Sequence, residues 1–567
     1  MELDFAVMAV FALLIFGIGL TFTREASRNG GAFFEAGGQA PWWINGLSLF
    51  ISYFSAGTFV VWGSIAYKYG LVSNAIQLTM AISGLLVAIF IAARWKKTGV
   101  KTVAEYIGRR FGTGPQQLYT YLILILSLVA TASVLYPVGK MVQVATPFSL
   151  NACIIVIGLI IVLYTAAGGL WAVLVTDVVQ FVILTASVVI VIPIALSEIG
   201  GVASLINKAP PKFFEAFNPE YTFPFMLAFI VYQTLYIGGN WSYVQRYTSV
   251  ADQKGAKKVA YLFTILYFVS PFIWMLPPMI YRIINPDLKG LEPEGAYMML
   301  CQHVMPAGLI GLVLAGMISA TSSKANTTIN LAATVFANDI YKNLLRPLAP
   351  EKELILMARI FTLLFGAGTI WIAILIPRAG GIVEVVLSIA SIAGGALFAP
   401  IVWSLFSRRQ TAFSTVTATV SALIINLFFK VISPSLIGIK LDRTLETAFG
   451  VGIPVMVLLV FEFYYLSRGS VAQGADAFDL ADAENEQVAP SVHLDAEMQN
   501  IFGIQVIAVS MGIVGIGVIV LGAIASAWGG IVMATGLIIF LAAFFIRHLA
   551  LRRKQALLEL QTSKNTY

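Results

Sequence analysis

Fifteen stretches of apolar residues run through this chain, each near the length of about 20 residues at which a helix crosses the hydrocarbon core of a bilayer. They fall at about 4–22, 43–67, 73–94, 119–146, 151–168, 174–196, 223–243, 259–281, 303–335, 355–377, 383–406, 411–432, 445–467, 500–524 and 527–549. A bilayer offers the backbone no water to bond to, so such segments must satisfy their own peptide groups as helices. Charge follows the same logic. Only 11% of the 567 residues are Asp, Glu, Lys or Arg, against roughly 25% in a soluble domain. That composition excludes a cytosolic enzyme, a disordered scaffold and a nucleic-acid binder. The expected class is an all-α polytopic membrane protein.

Orientation comes from the loops. Glu2 and Asp4 open the first span and Arg24 and Arg28 follow it, which reads as an N-terminus outside rather than a cleaved signal peptide. Alternating from there, the inner loops collect Arg94/Lys96/Lys97/Lys101/Arg109/Arg110, Arg246/Lys254/Lys257/Lys258, Lys342/Arg346/Lys352, Arg408/Arg409 and Arg552/Arg553/Lys554. The outer loops hold only scattered cations such as Lys208, Lys212, Lys289 and Lys440. Cations concentrated on one side mark the cytoplasmic face, so the net charge of +7 reports topology rather than an acidic partner. An odd number of spans puts the C-terminus inside, and the expected location is the cytoplasmic membrane. Cys153 and Cys301 have no metal or disulfide spacing, and His303, His493 and His548 lie far apart. Residues 469–499 carry seven Asp or Glu and no Lys or Arg, the composition of a solvated linker.

Polar residues inside apolar spans carry the functional signal, because each is costly in lipid. The segment Ser48-Leu49-Phe50-Ile51-Ser52-Tyr53-Phe54-Ser55-Ala56-Gly57-Thr58-Phe59 permits close helix packing or local unwinding that frees carbonyls for a ligand. Asp177 follows a Gly168-Gly169 turn, where it would cap a helix start or line a cytoplasmic exit for a cation. Gln233 to Tyr247 mixes amides, aromatics and Gly238-Gly239, which suits a polar solute; an interfacial aromatic belt would also explain Tyr243 and Tyr247. In Ala315 to Asn330, eight of sixteen residues are hydroxyls or amides and Lys324 lies deep in the span. A lysine there either snorkels to the interface or faces inward as a functional ammonium. Gln77 sits at mid-depth beyond a tight turn at Lys68-Tyr69-Gly70, and helix–helix hydrogen bonding would explain it equally.

Together these stretches resemble the sodium/solute symporter family, which includes sodium–glucose, proline and sialic acid transporters. The resemblance covers about residues 4–467. It is carried by Gly168-Gly169…Ala172-Val173…Thr176-Asp177…Gln180, by Asn240…Gln245-Arg246-Tyr247 and by Thr334-Val335-Phe336…Asn338-Asp339-Ile340-Tyr341-Lys342. It implies a LeuT-type fold of two inverted five-span repeats with accessory helices. The resulting division is a leading span and inner loop at 1–42, a first repeat with its outer loop at 43–222, and a second repeat at 223–409. Two accessory spans at 410–468, the acidic linker at 469–499 and a terminal helical hairpin with a basic tail at 500–567 complete it.

Position by position, the resemblance implies a sodium site at the carbonyls of Ile51, Phe54 and Ala320 and the hydroxyl of Ser323. The second hydroxyl position is occupied by Lys324. A one-residue slip, with Ser322-Ser323 as the hydroxyl pair, is the competing register. The resemblance also implies solute contacts at Thr58, Gln77, Gln233 and Tyr267, with Tyr236 as an aromatic inner gate. Amides, a hydroxyl and aromatic faces without a fixed charge pair suit a sugar or polyol; a small carboxylate would need Lys324 or Lys140 as counter-ion. The expected partners are a small solute, a coupling cation (sodium or proton) and the lipid bilayer, with no nucleic acid. No cofactor is expected beyond a sodium ion. The expected function is secondary active transport, not enzymatic catalysis, since no catalytic constellation is present. A transporter-like sensor signalling through the acidic loop is the alternative.

Overall fold

The computed structural model describes residues 2–26, 40–100, 102–164, 170–346, 348–472, 490–525 and 527–565, and among them there is no strand. Among the described residues, each of the fifteen apolar stretches is mostly helical. The principal helices are α1 (Glu2–Ala26), α2 (Trp42–Ile51), α3 (Gly63–Tyr69), α4 (Leu71–Leu86), α5 (Thr113–Ala145), α6 (Leu150–Tyr164) and α7 (Leu170–Ile199). They continue as α8 (Phe223–Gly239), α9 (Trp241–Thr248), α10 (Gln253–Trp274), α11 (Leu276–Ile284), α12 (Leu309–Val335) and α13 (Glu351–Leu375). The series ends with α14 (Ile382–Ser404), then α15 (Ala412–Leu427), α16 (Arg443–Ser467), α17 (Pro490–Ile524) and α18 (Gly529–Asn565). Among the described residues, ten helical stretches are long and apolar enough to cross a membrane by length and composition.

Two expected boundaries move. The stretch at 303–335 is not one helix: Met305 is extended, Gly308 is left-handed at φ 90° and α12 begins only at Leu309. Asp4 of α1 explains the new start, because its Oδ1 accepts from the backbone N–H groups of Gly308 (2.7 Å) and Gly311 (3.3 Å). A carboxylate at a helix N-terminus meets otherwise unpaired donors and the positive end of the dipole. The second change is in the acidic linker, whose last ten residues belong to α17. Residues 473–489 of that linker lie outside the described residues.

Helix breaks fall where small and polar residues interrupt the apolar pattern. Between α2 and α3 the chain leaves the helix at Ser52–Ser55 and resumes through a π-turn at Thr58–Trp62. Local hydroxyls replace the lost helical partners. Ser52 Oγ donates to the Ser48 carbonyl at 2.8 Å, and Thr58 Oγ1 donates to the Tyr53 carbonyl at 2.9 Å while accepting from Ser55 N–H at 3.2 Å. A second break follows Gly238-Gly239: Asn240 turns extended and caps α9, its Oδ1 accepting from Ser242 N–H at 3.0 Å. The expected turn before α4 is also present. Gly70 has φ 60°, and a Cβ there would lie 2.0 Å from the Phe213 carbonyl oxygen, so only glycine fits.

Basic residues of the predicted inner loops cluster at one end of the bundle. Lys96 Nζ donates to the Thr248 carbonyl at 3.0 Å, Arg94 to that of Leu405 at 3.2 Å, and Arg110 to those of Ser407 and Gln410. The Thr248 and Leu405 carbonyls end helices, where a cation completes unpaired acceptors, and those of Ser407 and Gln410 lie in the connection to α15.

The terminal pair α17 and α18 packs through glycines spaced seven residues apart. A Cβ on Gly515 would come within 2.8 Å of Phe540 N, one on Gly522 within 2.7 Å of Met533 N, and one on Gly536 within 2.7 Å of Ile519 N. Backbones this close require residues without side chains. Gly536→Leu is therefore expected to destabilise the protein by about 1–3 kcal/mol, read as a lower midpoint in a thermal unfolding scan, whereas Gly530→Leu, which faces open space, leaves the midpoint in place.

Candidate functional site

The break between α2 and α3 lies against α12, and Lys324 joins the two. Its Nζ donates to the Ser52 carbonyl oxygen at 2.9 Å. A helix would have used that carbonyl internally; here the unwound backbone offers it to a tethered ammonium. Lys324 therefore faces inward rather than snorkelling. Among the described residues no carboxylate forms an ion pair with it. The other sodium-site positions gather close by: Ile51 ends α2, Phe54 lies in the break and Ala320 is buried one turn before Lys324. The side chain of Ser323 lies outside the described residues. In the competing register Ser322 supplies a hydroxyl, but that hydroxyl donates within its own helix to the Ile318 carbonyl at 2.7 Å.

Four of the five predicted solute residues converge on Tyr53, the residue after Ser52. Its hydroxyl points to Gln233 Oε1 at 3.5 Å. Its ring centroid lies 6.1 Å from that of Tyr236 and 5.9 Å from that of Tyr267, edge-on in both cases. Thr58 holds its carbonyl through the hydrogen bond described above. Gln77, the fifth, is fully buried on α4 with neither amide atom hydrogen-bonded among the described residues. An unpaired buried amide costs about 1–3 kcal/mol, so a site that keeps one has a use for it. Tyr53, Tyr236 and Lys324 are half-buried, whereas Gln233 and Tyr267 are buried.

Tyr243 and Tyr247 do not form an interfacial belt. Both are buried, and the Tyr243 ring lies 5.0 Å from Tyr53 and 5.6 Å from Tyr236. The break at Asn240 turns α9 inward and brings Tyr243 into the site, while the Tyr247 hydroxyl donates to the Ile237 carbonyl at 3.3 Å; the count of apolar residues could not reveal either.

Asp177 lies within α7, buried, and accepts from Ser48 Oγ at 2.6 Å. The same hydroxyl accepts from Arg246 Nε at 3.3 Å and Nη2 at 3.2 Å, while Nη1 donates to the Ser242 carbonyl at 2.9 Å. Carboxylate, hydroxyl and guanidinium thus join α7, α2 and α9 at the end of the bundle that carries the basic loops. Asp177 lies inside α7 rather than at a helix start, and with Ser48 and Arg246 it seals three helices together.

The opposite end is closed by a residue the sequence did not single out. Glu294, in the short helical turn Glu292–Gly295, is 3% exposed. It accepts from Tyr136 hydroxyl of α5 at 2.6 Å and from Ile382 N–H, at the start of α14, at 3.0 Å. Gly381, at φ 93°, makes room for it: a Cβ there would sit 2.5 Å from Glu294 Oε1. Burial pushes the Glu294 carboxyl above the ordinary carboxylate range, against the opposing pull of Tyr136, Ile382 N–H, Lys140 and Lys68. No local pattern in Leu-Glu-Pro-Glu-Gly announces this role; only the fold brings α5 and α14 over the turn.

The family model for the sodium:solute symporter family matches residues 33–421. The chain belongs to this family. Relatives include sodium/glucose cotransporter 1 of Mus musculus, 28% identical over 72% of this chain and 68% of that protein. The sodium/glucose cotransporter of Vibrio parahaemolyticus is 26% identical over 76% and 85%, and sodium/myo-inositol cotransporter 2 of Bos taurus is 27% identical over 67% and 62%. The chain thus spans about two thirds of the length of the mammalian relatives. Among solved structures, the substrate-bound outward-open state of a Na+-coupled sialic acid symporter superposes with a TM-score of 0.67 at 21% identity, covering 81% of this chain and 97% of that one. Inward-facing Mhp1 superposes with a TM-score of 0.50 at 12% identity, over 78% and 96%. The expected LeuT-type fold and transporter class are borne out, and the family is one of symporters rather than enzymes.

Two outcomes follow for the seals. The raised Glu294 carboxyl binds a proton more tightly when buried than when unfolded, so this residue adds stability as pH falls from neutral toward the ordinary carboxylate range. Glu294→Gln is expected to flatten that part of the midpoint-against-pH curve. Ser48→Ala removes the bridge between two buried charged groups and is expected to cost about 1–3 kcal/mol, with increased labelling of cysteines placed on the basic side of the site.

Proposed function

We propose that this protein is a secondary active transporter in the cell membrane, with its N-terminus outside and its C-terminus inside. It carries a small, neutral, polyhydroxylated solute, a sugar or polyol, by alternating access. Amides at Gln77 and Gln233, the aromatic faces of Tyr236 and Tyr267 and the absence of a fixed charge pair at these positions support that solute class. The sugar and inositol transport named for several relatives points the same way.

Coupling is where this chain departs from those relatives. The observation that carries the reading is the hydrogen bond from Lys324 Nζ to the Ser52 carbonyl in the helix break. A second cation about 4 Å from that ammonium would be repelled by roughly 4 kcal/mol at an effective dielectric of 20. Lys324 thus takes the place of a coupling sodium. Transport then runs on a proton exchanged at Lys324, on solute exchange or as uniport. A sensor signalling through the acidic linker gains no support from the described residues, and solute flux into proteoliposomes separates the two.

The test compares thermal unfolding in sodium and in choline at equal ionic strength, for the wild type and Lys324→Ser. A ligand at 100 times its dissociation constant stabilises by about 2.7 kcal/mol. Sodium is expected to stabilise only the serine variant. Selective stabilisation of the wild type by sodium overturns the reading of Lys324.

A further inference from the structure

Three of the residues that the transporter reading assigns to the solute meet a side chain of the protein itself. Tyr53 meets Gln233, Tyr236 and Tyr267, and it is also flanked edge-on by Phe263 at 5.4 Å. We propose that Tyr53 is the protein's own occupant of the solute site, a phenol standing where a hydroxylated ring binds, and that the solute enters by displacing it.

Three observations carry this. First, the surroundings of the ring are those a cyclic polyol needs, with aromatic edges for apolar ring faces and an amide for a hydroxyl. The fit to Gln233 is loose, at 3.5 Å, so a ligand with a better-placed hydroxyl gains a stronger bond. Second, neither amide atom of Gln77 has a hydrogen-bond partner among the described residues, as expected of a group reserved for a ligand. Third, Tyr53 lies in the break rather than on a helix, so a few backbone dihedrals can carry its ring away without unwinding a span.

The same break explains how the occupant is held and released. The carbonyls of Ser52 and Tyr53 are bound by Lys324 and Thr58. Loss of the Lys324 hydrogen bond frees the backbone next to Tyr53, so solute binding and the Lys324–Ser52 contact oppose one another. The solute class narrows accordingly to a pyranose or cyclitol rather than an open-chain polyol. This refinement rests on the transporter reading above.

The experiment measures uptake of D-glucose, D-galactose, myo-inositol and, as the open-chain control, mannitol into proteoliposomes containing wild type, Tyr53→Phe or Tyr53→Ala. Tyr53→Phe keeps the ring and removes the competing hydroxyl. Its KM for a cyclic probe is expected to fall by roughly 2- to 12-fold, with Vmax little changed and an unfolding midpoint no higher than that of the wild type. A KM that is unchanged or raised overturns the proposal, as does preference for mannitol. If the wild type carries none of the probes, the sugar reading fails, and p-cresol decides the role of Tyr53 independently. Millimolar p-cresol stabilises Tyr53→Ala but not the wild type if the ring's place is a ligand site reached from water. No stabilisation of the variant overturns the proposal.

Discussion

A peptide carbonyl inside a membrane must find a donor, and the Ser52 carbonyl finds an ammonium. Unwinding a helix at mid-depth exposes backbone groups that lipid cannot satisfy, so the break at Ser52–Ser55 is stable only because side chains complete it. Ser52 and Thr58 do so from within the segment, and Lys324 does so from α12. This last contact is the only one of the three that ties the break to a different span. It sets the backbone from which Tyr53 projects into the aromatic cluster of α8, α9 and α10.

The two halves of the broken helix are anchored to different neighbours. The first half, α2, is held to α7 and α9 through Ser48, Asp177 and Arg246. The second half is held by Ser73 Oγ donating to the Trp62 carbonyl at 2.7 Å and by Tyr67 hydroxyl donating to the Asn285 carbonyl at 2.6 Å. At the end of the bundle away from the basic loops, the Glu294 turn joins α5 to α14. The two sets of contacts at the ends of the bundle share no residue.

Charge inside the bundle is handled differently at the three places. Asp177 and Arg246 bring opposite charges to a shared hydroxyl. Glu294 is a lone carboxyl whose burial favours its neutral form. Lys324 rests on a neutral carbonyl, so a positive charge there raises the cost of any further cation.

Much of this was legible in the amino-acid order. Apolar length dictated the fifteen helical stretches, because lipid leaves a backbone no other solution. Hydroxyl and glycine density marked the break at Ser52–Ser55, and the family motifs pointed to Thr58, Gln77, Gln233, Tyr236 and Tyr267. An out-of-place cation marked Lys324. What the order of residues could not provide was direction. Whether Lys324 turned toward lipid headgroups or toward the Ser52 carbonyl depended on the packing of α12 against a span more than 270 residues away in the chain. Asp177 bound to Ser48, Tyr243 beside Tyr53, Tyr53 as the point of convergence and Glu294 as the link between α5 and α14 were likewise decided only in three dimensions. Each role arises from hydrogen bonds or ring contacts between distant helices, and such contacts leave no periodicity in the segments that make them.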